Sequence, residues 1–323
     1  MTDFLLLEQL HRMIKEIPRP RLMFNKGISV KGFFRPYMSF SDYTMSSIFG
    51  NIDDITPVTV RFSSMMGDRG TADTLRNIKN MSVKFRGKDG NHDMICSSLP
   101  VSFINDKDKL LDMFDIFRIR RFFDGINRKA FWSFVVENPE ALNCAVHLFS
   151  YEGISDSFIY IKWYSVYNAV WCNKNGDRWL VRYKWMPVNE EGTNGGLRRK
   201  VSNRNYAEFA AGFDPDIAVN ELETRIGKKK YPALELYVQT LHIKGSMEPS
   251  AVDGTLIWDE RKAPYMSAGI MILDELVSEK AAESTLSFAP GNDTRGISLY
   301  RTEMADITDY MCRIEEVERG AGI

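Results

Sequence analysis

The sequence predicts an α+β fold built around an antiparallel sheet with enough strands to close a barrel. Short segments with alternating apolar and polar residues recur along the chain, each bounded by Gly, Asn or Asp. An Asn-Gly pair at 175–176 separates two of them, and it tolerates the positive φ of a tight hairpin turn. Helical spacing is confined to a few other stretches. Together these observations favour a sheet of hairpins accompanied by helices.

Strands are predicted wherever β-branched and aromatic residues alternate with polar ones. The segments are 28–35, 57–63, 80–86, 92–97, 158–171, 179–188 and 234–243. A helix is predicted over 107–121, where Leu110, Leu111, Phe114 and Phe117 share one side. A second is predicted over 302–319, and the basic Gly- and Asn-rich stretch 189–205 reads as an exposed connection.

Bulk composition is that of an ordinary globular protein, with 44% hydrophobic and 26% charged residues. A formal net charge of -1 gives no general attraction to a polyanion, so we expect no nucleic-acid partner. The arginines and phenylalanines that interleave over 117–123 fit a solvated helix edge better than a nucleic-acid surface. No apolar run is long enough to cross a bilayer, so we expect no membrane span.

The cellular context is suggested by two further features. The first 20 residues resemble a helix ended by prolines and lack the basic start and cleavage site of a signal peptide. Four cysteines, at positions 96, 144, 172 and 312, lack the spacing of a zinc site or of a disulfide framework. The sequence therefore predicts a cytoplasmic protein.

The segment between residues 60 and 93 carries a distinctive series of motifs. Val60-Arg61-Phe62-Ser63 is followed by Gly-Asp-Arg-Gly-Thr-Ala-Asp-Thr-Leu-Arg at 67–76, then by Ser82-Val83-Lys84-Phe85 and by Gly90-Asn91 with Asp93. This series resembles the catalase family nearly without gaps. The likeness continues in order from about residue 15 to 320, at Arg21, Lys26-Gly27, Gly32-Phe33-Phe34, Leu148-Phe149-Ser150, Asp214-Pro215-Asp216, Tyr231-Pro232 and Leu236-Tyr237-Val238-Gln239.

The resemblance implies an antiparallel eight-stranded β-barrel with surrounding helices and a buried haem b. It also implies a single domain over 1–323, with barrel strands mainly in 28–104 and 157–243 and helical segments at 1–18, 107–147 and 302–319. Because catalases act on a small molecule and are commonly oligomers, we expect a small-molecule substrate and a possible homo-oligomer.

The peroxide-handling positions of the family are substituted. Catalases use a distal His as proton shuttle and a distal Asn to position oxygens, and these positions fall on Phe24 and Ser97. An aromatic hydrocarbon neither accepts nor returns a proton, so catalase activity is disfavoured. Ser63, which contacts the His in the family, is retained, while of two phenylalanines that pack over the haem one is Ser102 and the other, Phe103, is kept.

The family's haem-carboxylate contacts are better retained. Arg21 and Arg61 match two arginines that bind those carboxylates in catalases, and a guanidinium fork suits a planar anion. The competing interpretation is that both arginines form structural ion pairs of the barrel.

The axial ligand follows from counting along the last motif. Residues 286–290 and Gly296-Ile297 resemble the family's anchor, and an ungapped count from there places the ligand at Cys312. Thr308 then occupies the position of the arginine that supports a phenolate ligand in catalases. A thiolate is itself a strongly electron-donating haem ligand and needs that arginine less.

Two alternatives to Cys312 stay open at this point. A two-residue gap would recruit Tyr310, but Asp306 four residues earlier would destabilise its phenolate. The protein would otherwise supply no ligand, and Cys312 would be an ordinary buried helix cysteine.

Three functions are compatible with this sequence. The first is a haem-dependent oxidoreductase or isomerase that acts on an organic substrate, by peroxide-driven oxygenation or by N–O or O–O bond rearrangement. The second is a non-catalytic catalase-like pseudoenzyme or binding scaffold. The third is a residual catalase or peroxidase that uses an unmatched residue.

Overall fold

The computed structural model describes residues 4–16, 21–67, 71–117, 127–188, 204–277 and 286–320. The strands in these ranges are β1 Gly27–Pro36, β2 Thr56–Ser64, β3 Lys79–Gly87, β4 Gly90–Ser97, β5 Trp163–Ser165, β6 Ala169–Cys172, β7 Arg178–Pro187, β8 Ala233–His242, β9 Met266–Leu276 and β10 Ile297–Leu299. The α-helices in the same ranges are α1 Phe4–Glu16, α2 Leu110–Phe117, α3 Arg128–Glu137, α4 Ala141–Phe149, α5 Arg204–Phe213, α6 Ile217–Gly227, α7 Pro249–Val252 and α8 Glu303–Glu318. None of these helices is long and apolar enough to cross a membrane.

Eight of the strands close into an antiparallel barrel. Neighbouring strands follow the order β7-β5-β4-β3-β2-β1-β9-β8, and β8 pairs back onto β7. Strands β6 and β10 extend the sheet beside β7. The predicted α+β fold with an eight-stranded antiparallel barrel is therefore confirmed.

The strand predictions differ from the structure in three places. The long strand expected over 158–171 consists of two short ones, β5 and β6, separated by residues 166–168. Strands β9 and β10 were not predicted, and both lie outside the two ranges expected to hold most barrel strands. The apolar run Ala268–Leu273 of β9 lacks the alternation that marks a half-buried strand, yet without β9 one edge of β1 and one edge of β8 would be unpaired.

The predicted hairpin turn lies between β6 and β7. The backbone N–H of Asn173 donates to the carbonyl of Asp177 at 3.1 Å, and Gly176 has a φ of 86°. Several other predictions concern residues outside the described ranges, namely most of the exposed connection (189–203), the arginines of 118–121 and motif residues 68–70.

The barrel interior is filled by aromatic side chains. Phe34 is fully buried, and its ring contacts Phe49, Phe85 and Trp185 at centroid distances of 5.5, 5.4 and 6.0 Å. Aromatic pairs at this spacing contribute beyond the area that they bury. The interior around Phe34 is thus a packed core.

A second apolar core lies between the sheet and the helices. Its buried members include Leu10 of α1, Phe117 of α2, Phe131 of α3, Leu148 of α4 and Met311 of α8. Because these helices pack on the outer face of the barrel, that face is covered where they lie.

His92 lies inside the barrel. Its side chain lies on the same face of β4 as those of Met94 and Cys96, which point into the barrel. The His92 ring stacks on Phe85 at a centroid distance of 6.1 Å. Burial lowers the pKa of His92 from 6.5 to about 4, the Lys84 ammonium lowers it further, and neither ring nitrogen has a hydrogen-bond partner among the described residues. His92 is therefore neutral in the folded protein at neutral pH.

We expect Phe34→Ala to lower the free energy of unfolding by about 3–5 kcal/mol, because it leaves a cavity in the barrel core. The control is Phe213→Ala, at a side chain that is 82% exposed, which should change it by less than about 0.5 kcal/mol. Urea denaturation followed by tryptophan fluorescence measures both. Equal losses would contradict the assignment of Phe34 to the core.

We also expect His92 to make stability depend on pH. The folded-state pKa of about 4 lies below the ordinary value of 6.5, so the unfolded chain binds the proton more tightly. The resulting stability is complete above the ordinary pKa and is lost as pH falls towards the folded-state pKa. Between pH 7 and pH 5 the wild type should lose about 2 kcal/mol more than His92→Leu. Urea denaturation at both pH values measures the difference, and equal losses in the two proteins would contradict a buried neutral His92.

Candidate functional site

A cavity of about 460 Å³ lies between the outer face of the barrel and the covering helices. Its wall is formed by the 21–24 loop, by outward residues of β2, β3, β4 and β5, by the 97–105 loop and by side chains of α2 and α8. Most of the predicted site residues lie on this wall, namely Phe24, Ser97, Arg21, Arg61, Phe103, Thr308 and Cys312. The structure thus brings together residues that are nearly 300 positions apart in the sequence.

Phe24 is held in an unusual backbone conformation on the cavity wall. Its φ of 58° lies in the left-handed region, which an aromatic residue rarely adopts. Arg61 from β2 fixes this loop, since its guanidinium donates to the carbonyls of Phe24 at 2.8 Å and Asn25 at 3.1 Å. The backbone N–H of Phe24 donates to the carbonyl of Met65 at 3.1 Å. Strain of this kind persists only where surrounding bonds determine the conformation.

The serine positions differ in their access to the cavity. Ser97 ends β4 on the wall, and its Oγ accepts a hydrogen bond from the N–H of Leu99 at 3.1 Å. Ser63 of β2 is fully buried and, among the described residues, does not line the cavity. Ser102 lines the cavity beside Phe103, whose ring packs on Phe117 at a centroid distance of 5.2 Å. The wall near Ser97 therefore offers a hydroxyl next to apolar surface.

Helix α8 and its C-terminal cap carry the polar cavity residues on one face, beside Met304 and Met311. Thr308, Cys312, Glu315 and Arg319 follow one another at helical spacing, from inside the helix to the residue that caps its C-terminus. Tyr310 is two residues from Cys312, and the part of the cavity wall that the structure describes does not include it. The geometry therefore favours Cys312 over Tyr310 as a donor to a group in the cavity.

The position of α8 is fixed by buried acids. Asp93 of β4 pairs with Lys84 and accepts from the N–H of Ala289 at 3.0 Å. Asp309 of α8 accepts from the N–H of Gly291 at 2.8 Å, so the 289–292 segment ties the helix to the barrel. A Cβ on Gly291 would lie 2.6 Å from the Asp309 carboxylate, so a larger residue at this position would require Asp309 to shift.

The Cys312 thiol is protonated in this environment. Burial raises its pKa above the ordinary range, nearby Glu315 and Asp309 raise it further, and Arg319 partly opposes them. A metal ion bound to the sulfur would instead lower the pKa of the thiol, because coordination deprotonates it. The neighbouring Thr308 hydroxyl accepts a hydrogen bond from Tyr167 at 2.6 Å. Thr308 occupies the position at which catalases have a phenolate-supporting arginine, and here that position holds two hydrogen-bonded neutral hydroxyls.

An arginine cluster lies at the junction of the 21–24 loop and α8. Arg21 and Arg319 both donate to the carbonyl of Leu286, at 2.6 and 3.5 Å. The carboxylate of Glu315 accepts from the N–H of Leu22 at 2.7 Å and pairs with Arg319 at 3.3 Å. Burial raises the pKa of Glu315, whereas the Leu22 bond and both arginines lower it.

Arg319 and Glu315 were missed by sequence reasoning. Arg319 lies seven residues after Cys312, which places it two helical turns further on the same face. That spacing was readable once Cys312 was chosen. Glu315 had no such signal, because an acid three residues from a candidate ligand is ordinary on a solvated helix.

The residues of this wall fit a haem. A buried haem needs apolar walls, cationic partners for its carboxylates and an axial donor. The cavity offers Phe24 and Phe103 for the first, Arg21, Arg61 and Arg319 for the second and Cys312 for the third. In the described ranges no cluster of three or more His, Cys, Asp or Glu side chains could hold a metal ion, so an iron here needs most of its ligands from a cofactor.

Known proteins match this chain over nearly its whole length. "Catalase-2" of Bacillus subtilis (strain 168) is 30% identical over 307 residues, which cover 92% of this chain and 43% of the relative. "Catalase" of Latilactobacillus sakei is 28% identical over 300 residues, which cover 92% and 61%. A crystal structure of a fungal catalase matches with a TM-score of 0.86 at 26% identity, covering 100% of this chain and 63% of that one.

The chain spans less than two thirds of the length of these relatives. A match to the structure of catalase A from Saccharomyces cerevisiae agrees, with a TM-score of 0.80 at 25% identity over 99% of this chain and 64% of that one. The model of the Catalase family matches residues 1–306. Given this match and the shared barrel, the chain belongs to the catalase family.

Proposed function

We propose that this chain binds haem b, with Cys312 as the axial ligand, and acts as an oxidoreductase or isomerase on an organic substrate. Members of the catalase family bind haem. The observation that carries the proposal is that one cavity wall contains Cys312, three arginines, Phe24 and Ser97.

The chain's own residues would hold the cofactor in complementary ways. Arg21, Arg61 and Arg319 would bind the haem carboxylates, and Phe24 and Phe103 would pack against the apolar ring. Bound haem would supply an iron centre able to cleave O–O or N–O bonds, and a thiolate donor would favour that cleavage.

Proton handling in this pocket differs from that of a catalase. Phe24 excludes water from its part of the wall and has no atom that can hold a proton. Ser97 can donate its hydroxyl hydrogen to a substrate oxygen, because its Oγ already accepts from Leu99. A reaction that needs orientation more than proton shuttling, such as bond rearrangement or oxygen transfer to an organic substrate, suits these residues.

One other function has support in the structure, and another has support in the comparisons. A non-catalytic binding scaffold is supported by the arginine cluster, because Arg319 already pairs with Glu315 and Arg21 with the carbonyl of Leu286. A residual catalase or peroxidase is supported by the names of the relatives alone.

A cytoplasmic location and a homo-oligomer are the remaining proposals. The location rests on cysteine usage, and the homo-oligomer rests on the family resemblance.

The axial ligand can be tested by spectroscopy. We expect wild-type protein, produced with a haem precursor, to show a strongly red-shifted ferrous-CO band, because a thiolate ligand donates electron density to the iron. Cys312→Ala should lose that band. The matched control is Tyr310→Phe, which should keep it. Stoichiometric haem with the same spectrum in Cys312→Ala would contradict Cys312, and absence of haem in wild type would favour the scaffold.

The arginine cluster can be tested by haem titration. We expect Arg319→Leu to weaken haem affinity about tenfold or more, because a charge-assisted bond to a carboxylate is lost. The control Arg261→Leu removes an exposed arginine that pairs with Asp259, and it should stay within about twofold of wild type. Absorbance titration of the purified chain with haemin measures both. Equal affinities in all three proteins would place the haem carboxylates elsewhere.

A further inference from the structure

One row of polar residues crosses the cavity face of the barrel. The antiparallel registers place Ser63 of β2 opposite Asn80 of β3, Asn80 opposite Ser97 of β4, and Ser97 opposite Tyr164 of β5. Directly opposed residues project from the same face of a sheet. Asn80, Ser97 and Tyr164 all line the cavity, so this row forms part of its wall.

Asn80 has an incompletely used amide. Its Nδ2 donates to the Oγ of Ser82 at 2.9 Å, which fixes the side chain along β3. The Oδ1 of Asn80 accepts no hydrogen bond within the described part of the chain, although only 6% of the residue's surface is exposed. An acceptor that is shielded from bulk water and lines a cavity favours a ligand that donates to it.

A donor lies next to this acceptor. The Oγ of Ser97 accepts from the N–H of Leu99, so its own hydrogen is available to the cavity. Opposed residues on neighbouring strands have Cβ atoms about 5 Å apart. The wall therefore presents an acceptor and a donor at a spacing that one small polar head group can bridge.

We infer that Asn80 is a substrate-positioning residue and that its amide oxygen binds a terminal hydroxyl, with Ser97 donating to the adjacent heteroatom. The proposed function, on which this inference rests, restricts that hydroxyl to one carried by oxygen or nitrogen, as in a hydroperoxide or an oxime. Asn80 on β3 then supplies an orienting amide, which catalases have at the position that Ser97 occupies on β4. Sequence reasoning selected neither Asn80 nor Ser82 as a site residue.

The test is a calorimetric titration of the haem-loaded chain with benzohydroxamic acid, which carries an N–O–H group. We expect Asn80→Leu to bind it about tenfold more weakly than wild type, because one buried hydrogen bond is lost. Asn91→Leu, an exposed amide at the other end of the β3–β4 pair, should bind like wild type. The O-methyl ether of the probe should lose about tenfold on wild type and nothing further on Asn80→Leu. The comparison of the two probes on wild type thus tests the hydroxyl contact without any substitution.

The outcomes separate the two proposals. Haem uptake is measured first, and failure of wild type to bind haem overturns the proposed function together with this inference. Normal uptake with equal probe affinity in wild type and Asn80→Leu overturns only the role of Asn80, as does equal binding of the O-methyl ether and the parent. A titration with acetone oxime repeats the comparison with a second N–O–H probe, and equal affinity in wild type and Asn80→Leu contradicts the inference.

Discussion

The pairing register of β2, β3 and β4 is the constraint on which the site depends. Along these strands one set of residues, such as Phe62 and Met81, fills the barrel, and the alternate set, such as Asn80 and Ser97, forms the cavity wall. Because the side-chain period is two, a slip of one residue would exchange the sets and expose the core. The same aromatic packing that stabilises the barrel therefore also fixes the chemistry of the wall.

Much of the fold was predictable because its strands alternate. The segments that became β1, β2, β3 and β4 alternate clearly and are bounded by turn residues, and the Asn-Gly hairpin has a direct backbone reason. Strand β9 escaped because it is paired on both edges and buried along much of its length, so its sequence reads as a continuous apolar run. Tertiary pairing, which no local pattern records, decides such a strand.

The candidate site was predictable where a motif could be counted. Counting along the chain gave Cys312 and Thr308, and helix geometry places both on the cavity. It could not give Asn80, whose relation to Ser97 exists only through the register of two strands. The conformation of Phe24 was equally hidden, because a positive φ at an aromatic residue results from bonds made by Arg61 and Met65 far along the chain.

Glu315 gives the arginine cluster its own counter-ion. Guanidiniums gathered beside a shielded cavity would repel one another, and desolvation would strengthen the repulsion. With its carboxylate paired to Arg319 and bonded to the N–H of Leu22, that repulsion is offset from within the chain. The polypeptide can consequently fold before a dianionic prosthetic group is inserted. Cofactor binding therefore need not precede folding.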